Sequence, residues 1–262
     1  MNLKILEKSD RYLKLVAEDI DFALANAIRR VASSEVPVLA IEHVDFTENL
    51  SGLFDEVVAH RLGLIPLIFP EKLNLRKECT CRGRGCSNCQ VSFSLEKQGP
   101  CIVRAGDMVS SNEDARPLDP DIPIVELLED QRIALEAIAE LNIGKEHAKW
   151  QAAVIGYRNV PIVRLNPEKG DVNPAYKVCP QNVFEKKDGG IRIARSINCD
   201  LCMRCVEVCE PGSVYIGEEE NSFIFSIESI SGLTAAQVLS KSLEIISDRS
   251  DEFIKEVRKE VK

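Results

Sequence analysis

Nine of the ten cysteines sit in two short blocks, and that distribution limits this chain more than any other feature. Cys79, Cys81, Cys86 and Cys89 fall within eleven residues; Cys179, Cys199, Cys202, Cys205 and Cys209 fall within thirty-one. Cys101 stands apart and reads as a small buried hydrophobe. The opening run MNLKILEKSDRYLKL is charged and lacks the apolar stretch of a secretory signal. No segment approaches the roughly 18 consecutive apolar residues of a membrane span. These features predict a cytoplasmic chain with no membrane partner, where clustered thiols more often hold metal than form disulfides. Hyperthermophile cytosols are the exception, which keeps disulfides open.

Cys199-x2-Cys202-x2-Cys205-x3-Cys209 has the spacing of a bacterial ferredoxin run, and Cys179-Pro180 supplies the Cys-Pro step upstream. Closely spaced thiolates let one loop reach three irons of a cubane. In two-cluster ferredoxins the fourth cysteine of each run serves the other cluster. An internal repeat allows that rule to be applied. CPQNVFEKKDGGIRI (179–193) parallels CEPGSVYIGEEENSFIF (209–225), so the first copy should carry three more cysteines at 169, 172 and 175. Those positions are Lys169, Val172 and Ala175. One cluster site has been lost. The survivor is predicted to use Cys199, Cys202 and Cys205 with Cys179 as fourth ligand, leaving Cys209 an orphan. Four ligands imply a 4Fe–4S cluster; a 3Fe–4S form follows if one iron leaves or Cys179 does not reach. Zinc or a disulfide pair is the alternative for the same cysteines.

The middle block, Cys79-x-Cys81-x4-Cys86-x2-Cys89, has Gly83 and Gly85 between its pairs and resembles a four-cysteine zinc loop. Its C-x-C pair is tighter than usual for zinc. Arg76, Lys77, Arg82 and Arg84 would help offset four thiolates. Zinc, two disulfides and free thiols all remain open for Cys79, Cys81, Cys86 and Cys89.

Along the chain, Leu3, Ile5, Leu13 and Leu15 alternate as in strands. Asp19 or Asp21 is predicted to cap a helix over Phe22–Val31, whose apolar face (Phe22, Ala25, Ile28) ends at Arg29 and Arg30. Glu35-Val36-Pro37 stops it. VLAIEHVDF (38–46) reads as a strand and LFDEVVAHRL (53–62) as a short helix closed by Gly63 at C′. LIPLIF follows as a strand that Pro66 assigns to an edge or bulge. A second compact region is expected over 91–165, with a candidate helix at 124–139. NPEKGDVNPAY (166–176), with two Asn-Pro steps, reads as a linker or domain junction. From Leu233 to about Val261 runs the clearest helix, with Leu239, Leu243, Ile246, Phe253 and Val257 on one seam and Ser250 in its polar slot. Such a seam suits a partner helix or the chain's own domain, and periodicity does not choose between them.

Three further stretches carry a family resemblance. Phe22–Val31 (FALANAIRRV) is similar to the first helix of α-type RNA polymerase subunits. Asp55–Leu67 (DEVVAHRLGLIPL) looks like their most distinctive run, and Ile143–Trp150 (IGKEHAKW) resembles the archaeal and eukaryotic branch. The ferredoxin-like insertion narrows this to the archaeal α-type subunits; the lost first cluster motif and the wide Cys81–Cys86 gap depart from their pattern. The resemblance implies an α+β fold: a discontinuous dimerisation domain (1–42 and 223–262), an inserted mixed α/β domain (43–167) with its Cys-rich loop at 79–89, and a ferredoxin-like iron–sulfur domain (168–222). It implies a heterodimer with the family's small subunit L and subunit interfaces at Phe22, Ile28, Arg29, Arg30, Leu239, Leu243, Ile246, Phe253 and Val257, where Arg29 and Arg30 would contact a large subunit or else solvate the helix end. Small subunits N and P and the large catalytic subunits would then join this archaeal assembly platform.

No catalytic residue is expected on the chain. It has no phosphate-binding Gly-rich loop and no carboxylate cluster with a metal pattern, and His43, His60 and His147 stand isolated. The resemblance makes it part of a nucleotidyltransferase only as a component of DNA-directed RNA polymerase. Its formal charge of −9, from 33 basic and 42 acidic side chains, argues against direct nucleic-acid contact. The alternative is a ferredoxin-type redox or oxygen-sensing protein that uses the cluster for electron transfer.

Overall fold

The computed structural model describes residues 2–187 and 189–261. Asp188, in the turn of the first repeat copy, lies outside them, as do Met1 and Lys262. Strands β1 (Asn2–Lys8) and β2 (Tyr12–Glu18) lead into helix α1 (Phe22–Ser34), strand β3 (Val38–Asn49), helix α2 (Asp55–Gly63) and the two-residue β4 (Leu67–Ile68). Beyond the cysteine loop come β5 (Gln90–Gln98), β6 (Cys101–Arg104), β7 (Val109–Ser110), β8 (Arg116–Pro117), β9 (Pro123–Leu127), β10 (Arg132–Asn142) and β11 (Ala153–Leu165). Helix α3 (Asn173–Val178), the hairpin β12 (Phe184–Lys187) and β13 (Gly190–Ile193), and helix α4 (Arg204–Val208) follow. Strand β14 (Val214–Ser229) and helix α5 (Ala235–Glu260) complete an α+β fold. Among the described residues no helix is long and apolar enough to cross a membrane.

One four-stranded sheet has the order β1-β2-β14-β11 and the other β3-β10-β5-β7. The chain forms two compact units: Met1–Leu6, Lys14–Ala25 and Tyr157–Phe225 in one; Glu7–Leu13, Asn26–Gly156 and Ser226–Lys262 in the other.

In the larger unit β10 lies between β3 and β5, antiparallel to both, with Leu135 opposite Phe46 on one side and Leu95 on the other. Residues 124–139 are therefore two strands, the end of β9 and the start of β10 with a turn between them, not the expected helix. Their Ala, Leu and Glu favour helix, but Ile133, Leu135, Ala137 and Ala139 are all buried on a period of two. Pairing on both edges outweighs local propensity there. Helix α2 buries Val58 and Leu62 in the same core. Gly63 belongs to its last turn rather than to C′, because the cap is Leu64 at φ −94°. Its missing Cβ lets the Ile41 carbonyl come within 3.4 Å of where that atom would stand. LIPLIF pairs only through Leu67 and Ile68, against Pro117 and Arg116.

Asp21 caps α1 as expected, accepting from the Leu24 amide at 2.7 Å. Ile28 is buried in the chain's own core. A Thr234–Gln237 capping box starts α5. Only Ala235, Val238 and Ser242 of α5 are buried. Further along the helix, Arg249 meets Glu35, a carboxylate only 7% exposed that also binds Lys145 at 2.6 Å. Burial pushes the Glu35 carboxyl up, but hydrogen bonds from Arg249 and Lys145, with their charges, outweigh it and hold it below the ordinary 4.5. A depressed folded-state pKa stabilises above the ordinary carboxylate range, and the contribution is lost as pH falls through the depressed value. Glu35→Gln should therefore cost about 1–3 kcal/mol at pH 7 and flatten the acid limb of the stability profile. Equal denaturant midpoints for both chains at pH 7 would show the pair to be inert.

In the smaller unit, Val172, Ala175, Val183, Phe184, Val214 and Ile216 build a core with Cys199, Cys205 and Cys209. The hairpin pairs Phe184 with Ile193. Phe22 meets Phe223 edge-on at 4.8 Å. Residues 166–176 are folded into this unit as a 3-10 turn and the start of α3, rather than forming a linker. Val172 and Ala175 are apolar side chains this small core needs, and their burial outweighs the Asn-Pro breakers.

Candidate metal centres

Two loops gather the cysteines, and their geometries differ. In the first, Arg82 (φ 57°), Gly83 (φ 78°) and Gly85 (φ 90°) take left-handed conformations that fold Cys81 back towards Cys86. A Cβ on Gly85 would stand 2.2 Å from the Gln90 amide oxygen. The sulphurs of Cys79 and Cys86 come to 3.6 Å, those of Cys81 and Cys89 to 3.7 Å and those of Cys86 and Cys89 to 3.8 Å. Four thiolates bound tetrahedrally at about 2.3 Å from one zinc would have that spacing. Among the described residues this is the one set of three or more metal-binding side chains whose ligand atoms all lie within 4.8 Å of one another. The cysteines here are free, not disulfide-bonded. Four cysteines able to hold a metal ion are thus brought together.

The charge state of that set suits a cation. Burial opposes ionisation of Cys81, yet the Gly85 backbone donor and the thiols of Cys79, Cys89 and Cys86 bring it down to about 6. Burial pushes Cys89 up to about 12. One thiolate is stable among crowded thiols, and an ion that displaces the remaining protons completes the set. Arg76 fastens the loop: its Nε donates to the Gly83 carbonyl at 2.9 Å and its guanidinium pairs with the buried Glu140 of β10. Trp150 Nε1 donates to the Glu140 carbonyl at 3.2 Å, so the HAKW turn braces the same strand. The sequence marks Arg76 only as a nearby charge; its partner lies 64 residues away.

In the second loop, Cys179, Cys199, Cys202 and Cys205 line one cavity together with Val183, Phe184 and Ile216. Among the described residues these four do not form a close metal-binding set of the kind made by Cys79, Cys81, Cys86 and Cys89. The four cysteines thus share one cavity wall without forming the tight single-ion set of the first loop. Burial pushes the Cys199 thiol up and Cys205 up to about 11. Cys202 is exposed. Leu201 (φ 61°) and Met203 (φ 62°) flank Cys202 in left-handed conformations without being glycine. Asp200 accepts from the Cys202 amide and from Gln181, both at 3.3 Å. Arg158 of β11 donates to the carbonyls of Ile197 and Cys199. Cys209 lies away from this cavity, buried with Val172 and Ala175, its sulphur 4.0 Å from the Val172 carbonyl. Cys101 is half-buried on β6 and takes no part in either group.

Residues of the expected interface are placed separately. Leu239 and Ile246 are half-buried, while Phe22, Leu243, Phe253 and Val257 are exposed, Phe253 at 71%. Arg29 is held by the Asn26 side chain at 2.9 Å and Arg30 is exposed.

Residues 41–162 match the RNA polymerase Rpb3/RpoA insert domain. The whole chain is similar to DNA-directed RNA polymerase subunit Rpo3 of Methanosarcina mazei, 39% identical over 97% of both chains. The Archaeoglobus fulgidus protein of the same name is 38% identical over 97% of this chain and 96% of its own. For its Thermococcus kodakarensis counterpart the figures are 36%, 99% and 98%. With such similarity along nearly its full length, the chain belongs to the Rpo3 family of archaeal DNA-directed RNA polymerase subunits.

Proposed function

We propose that this protein is a non-catalytic assembly platform: it pairs with small subunit L, is joined by N and P, and carries the large catalytic subunits. The observation that carries the reading is α5, whose apolar seam continues past Arg249 through exposed Phe253 and Val257. Residues 1–42 and 223–262 form the dimerisation domain, 43–167 the inserted domain and 168–222 the iron–sulfur domain. The polymerase as a whole is a nucleotidyltransferase, and the chain contributes position rather than chemistry. Full-length similarity to polymerase subunits sets the ferredoxin-type redox reading aside.

Both cysteine groups are structural on this reading. Cys179, Cys199, Cys202 and Cys205 fit a 4Fe–4S cluster, with 3Fe–4S as its three-ligand form, and Cys79, Cys81, Cys86 and Cys89 fit zinc. When bound, each group supplies cross-links among thiolates that the small cores nearby cannot replace. The test is co-expression with subunit L, followed by anaerobic purification, elemental analysis and EPR. A stoichiometric pair carrying about four irons and about one zinc is expected. A lone monomer with reversible low-potential reduction would overturn the platform.

The zinc site makes its own prediction. Cys89→Ser should abolish zinc retention, and Arg76→Ala should weaken it about 10- to 100-fold, as loss of a supporting contact usually does. Chelator competition read by a chromogenic zinc dye measures both. Arg76→Ala holding zinc like the unaltered chain would mean that the Glu140 anchor does not support the loop.

A further inference from the structure

The loop from Ile197 to Cys205 is held in a costly shape. Non-glycine residues are disfavoured in the left-handed region, and Leu201 and Met203 occupy it on either side of Cys202. Such a loop persists only if its ends are fastened. Helix α4 anchors the far end by burying Cys205. The near end is a single 3-10 turn, Ser196–Asn198, too short to satisfy its own last carbonyls.

Arg158 meets that need from β11. Its Nη2 donates to the Ile197 carbonyl at 2.7 Å, and its Nη1 donates to the carbonyl of Cys199 itself. The residue is half-buried, and among the described residues no acidic side chain pairs with it. Its rigid fork suits two carbonyls two residues apart, which a lysine ammonium would grip less well. Its full positive charge rests against the backbone of a cysteine already read as a cluster ligand.

Resting on the iron–sulfur reading above, we propose that Arg158 is a positioning residue for the cluster. It locks the Ile197–Cys199 turn so that Cys199 faces the cavity, and its charge favours the more reduced, more negative state of the bound cluster. The second effect is not available from Asp200, which fastens the loop with a negative charge. Strand β11 thereby connects the cluster loop to the sheet β1-β2-β14-β11.

The test compares the unaltered full chain, Arg158→Gln and Arg158→Lys after anaerobic reconstitution with ferrous iron and sulfide. The readouts are iron per chain, cluster loss to a chelator and the reduction potential followed by EPR. Arg158→Gln should weaken cluster retention about 10-fold or more and move the potential to more negative values. Arg158→Lys, which keeps the charge but not the fork, should restore the potential while still losing the cluster faster than the unaltered chain. If Arg158→Gln matches the unaltered chain in retention and potential, the role of Arg158 is overturned. A shared loss in both variants, with an equal fall in apo-chain melting temperature, overturns it too, since a general folding defect then accounts for it. An unaltered chain that takes up no iron overturns the cluster reading itself, and this proposal with it.

Discussion

Leu243→Asp or Val257→Asp should abolish co-purification of the small partner subunit while leaving the chain's own fold intact. Both side chains are exposed, and α5 docks on its own unit through Ala235, Val238 and Ser242 instead. Neither side chain belongs to the buried core, so the chain's own stability should change by only about 0.5 kcal/mol. At the centre of a helix–helix interface each would bury an unpaired carboxylate. That costs about 2–4 kcal/mol, or roughly 30- to 1,000-fold in affinity. Lys255→Gln, on the opposite face, is the control and should pull down the partner normally. Analytical ultracentrifugation of co-expressed subunits reads the result. A partner that still binds the Val257→Asp chain at full stoichiometry would place the interface elsewhere.

The second large effect separates Cys205 from Cys209, which lie four residues apart and are both buried. On the cluster reading, Cys205→Ser should drop bound iron from about four per chain to near zero and expose the smaller unit's core to protease, since so small a core would depend on its cross-link. Cys209→Ala should keep all the iron, because Cys209 packs on Val172 and Ala175 rather than on the cavity. Its cost is about 1 kcal/mol, the loss of a small buried group. Cys179→Ala should leave three ligands and an oxidised, EPR-active 3Fe–4S signal. Iron retained by Cys179→Ala but lost from Cys209→Ala would exchange the roles of the two cysteines.

The cysteine spacings and the Asp21 cap were legible in the sequence because each depends on neighbours a few positions away. The repeat further implied a vanished ligand set, and Val172 and Ala175 now occupy a buried core beside Cys209. Residues 124–139 misled, since their composition favours helix and their strand character comes from partners at 101–104 for β9 and at 38–49 and 90–98 for β10. Residues 166–176 misled for the same reason: the polar, proline-bearing run hides two small side chains that pack remotely. Arg76 and Arg158 could not have been selected. Each is one arginine among many, given its role by carbonyls or a carboxylate far along the chain. The periodic seam on α5 was ambiguous because amphipathicity says which face is apolar, not what covers it.

Strands β2 and β14 are neighbours in one sheet, yet everything from Asp19 to Ser213 separates them in the chain. During synthesis the sheet cannot close until β14 has left the ribosome, which at about 5–20 residues per second is tens of seconds after β2 appears. Helix α5 follows β14 in the chain and is therefore translated later still. The inserted sheet β3-β10-β5-β7 has all its strands by then. A nascent or truncated chain that stops before β14 lacks both the strand that closes this sheet and α5. On the platform reading, only chains translated through β14 and α5 would then be able to recruit the small partner.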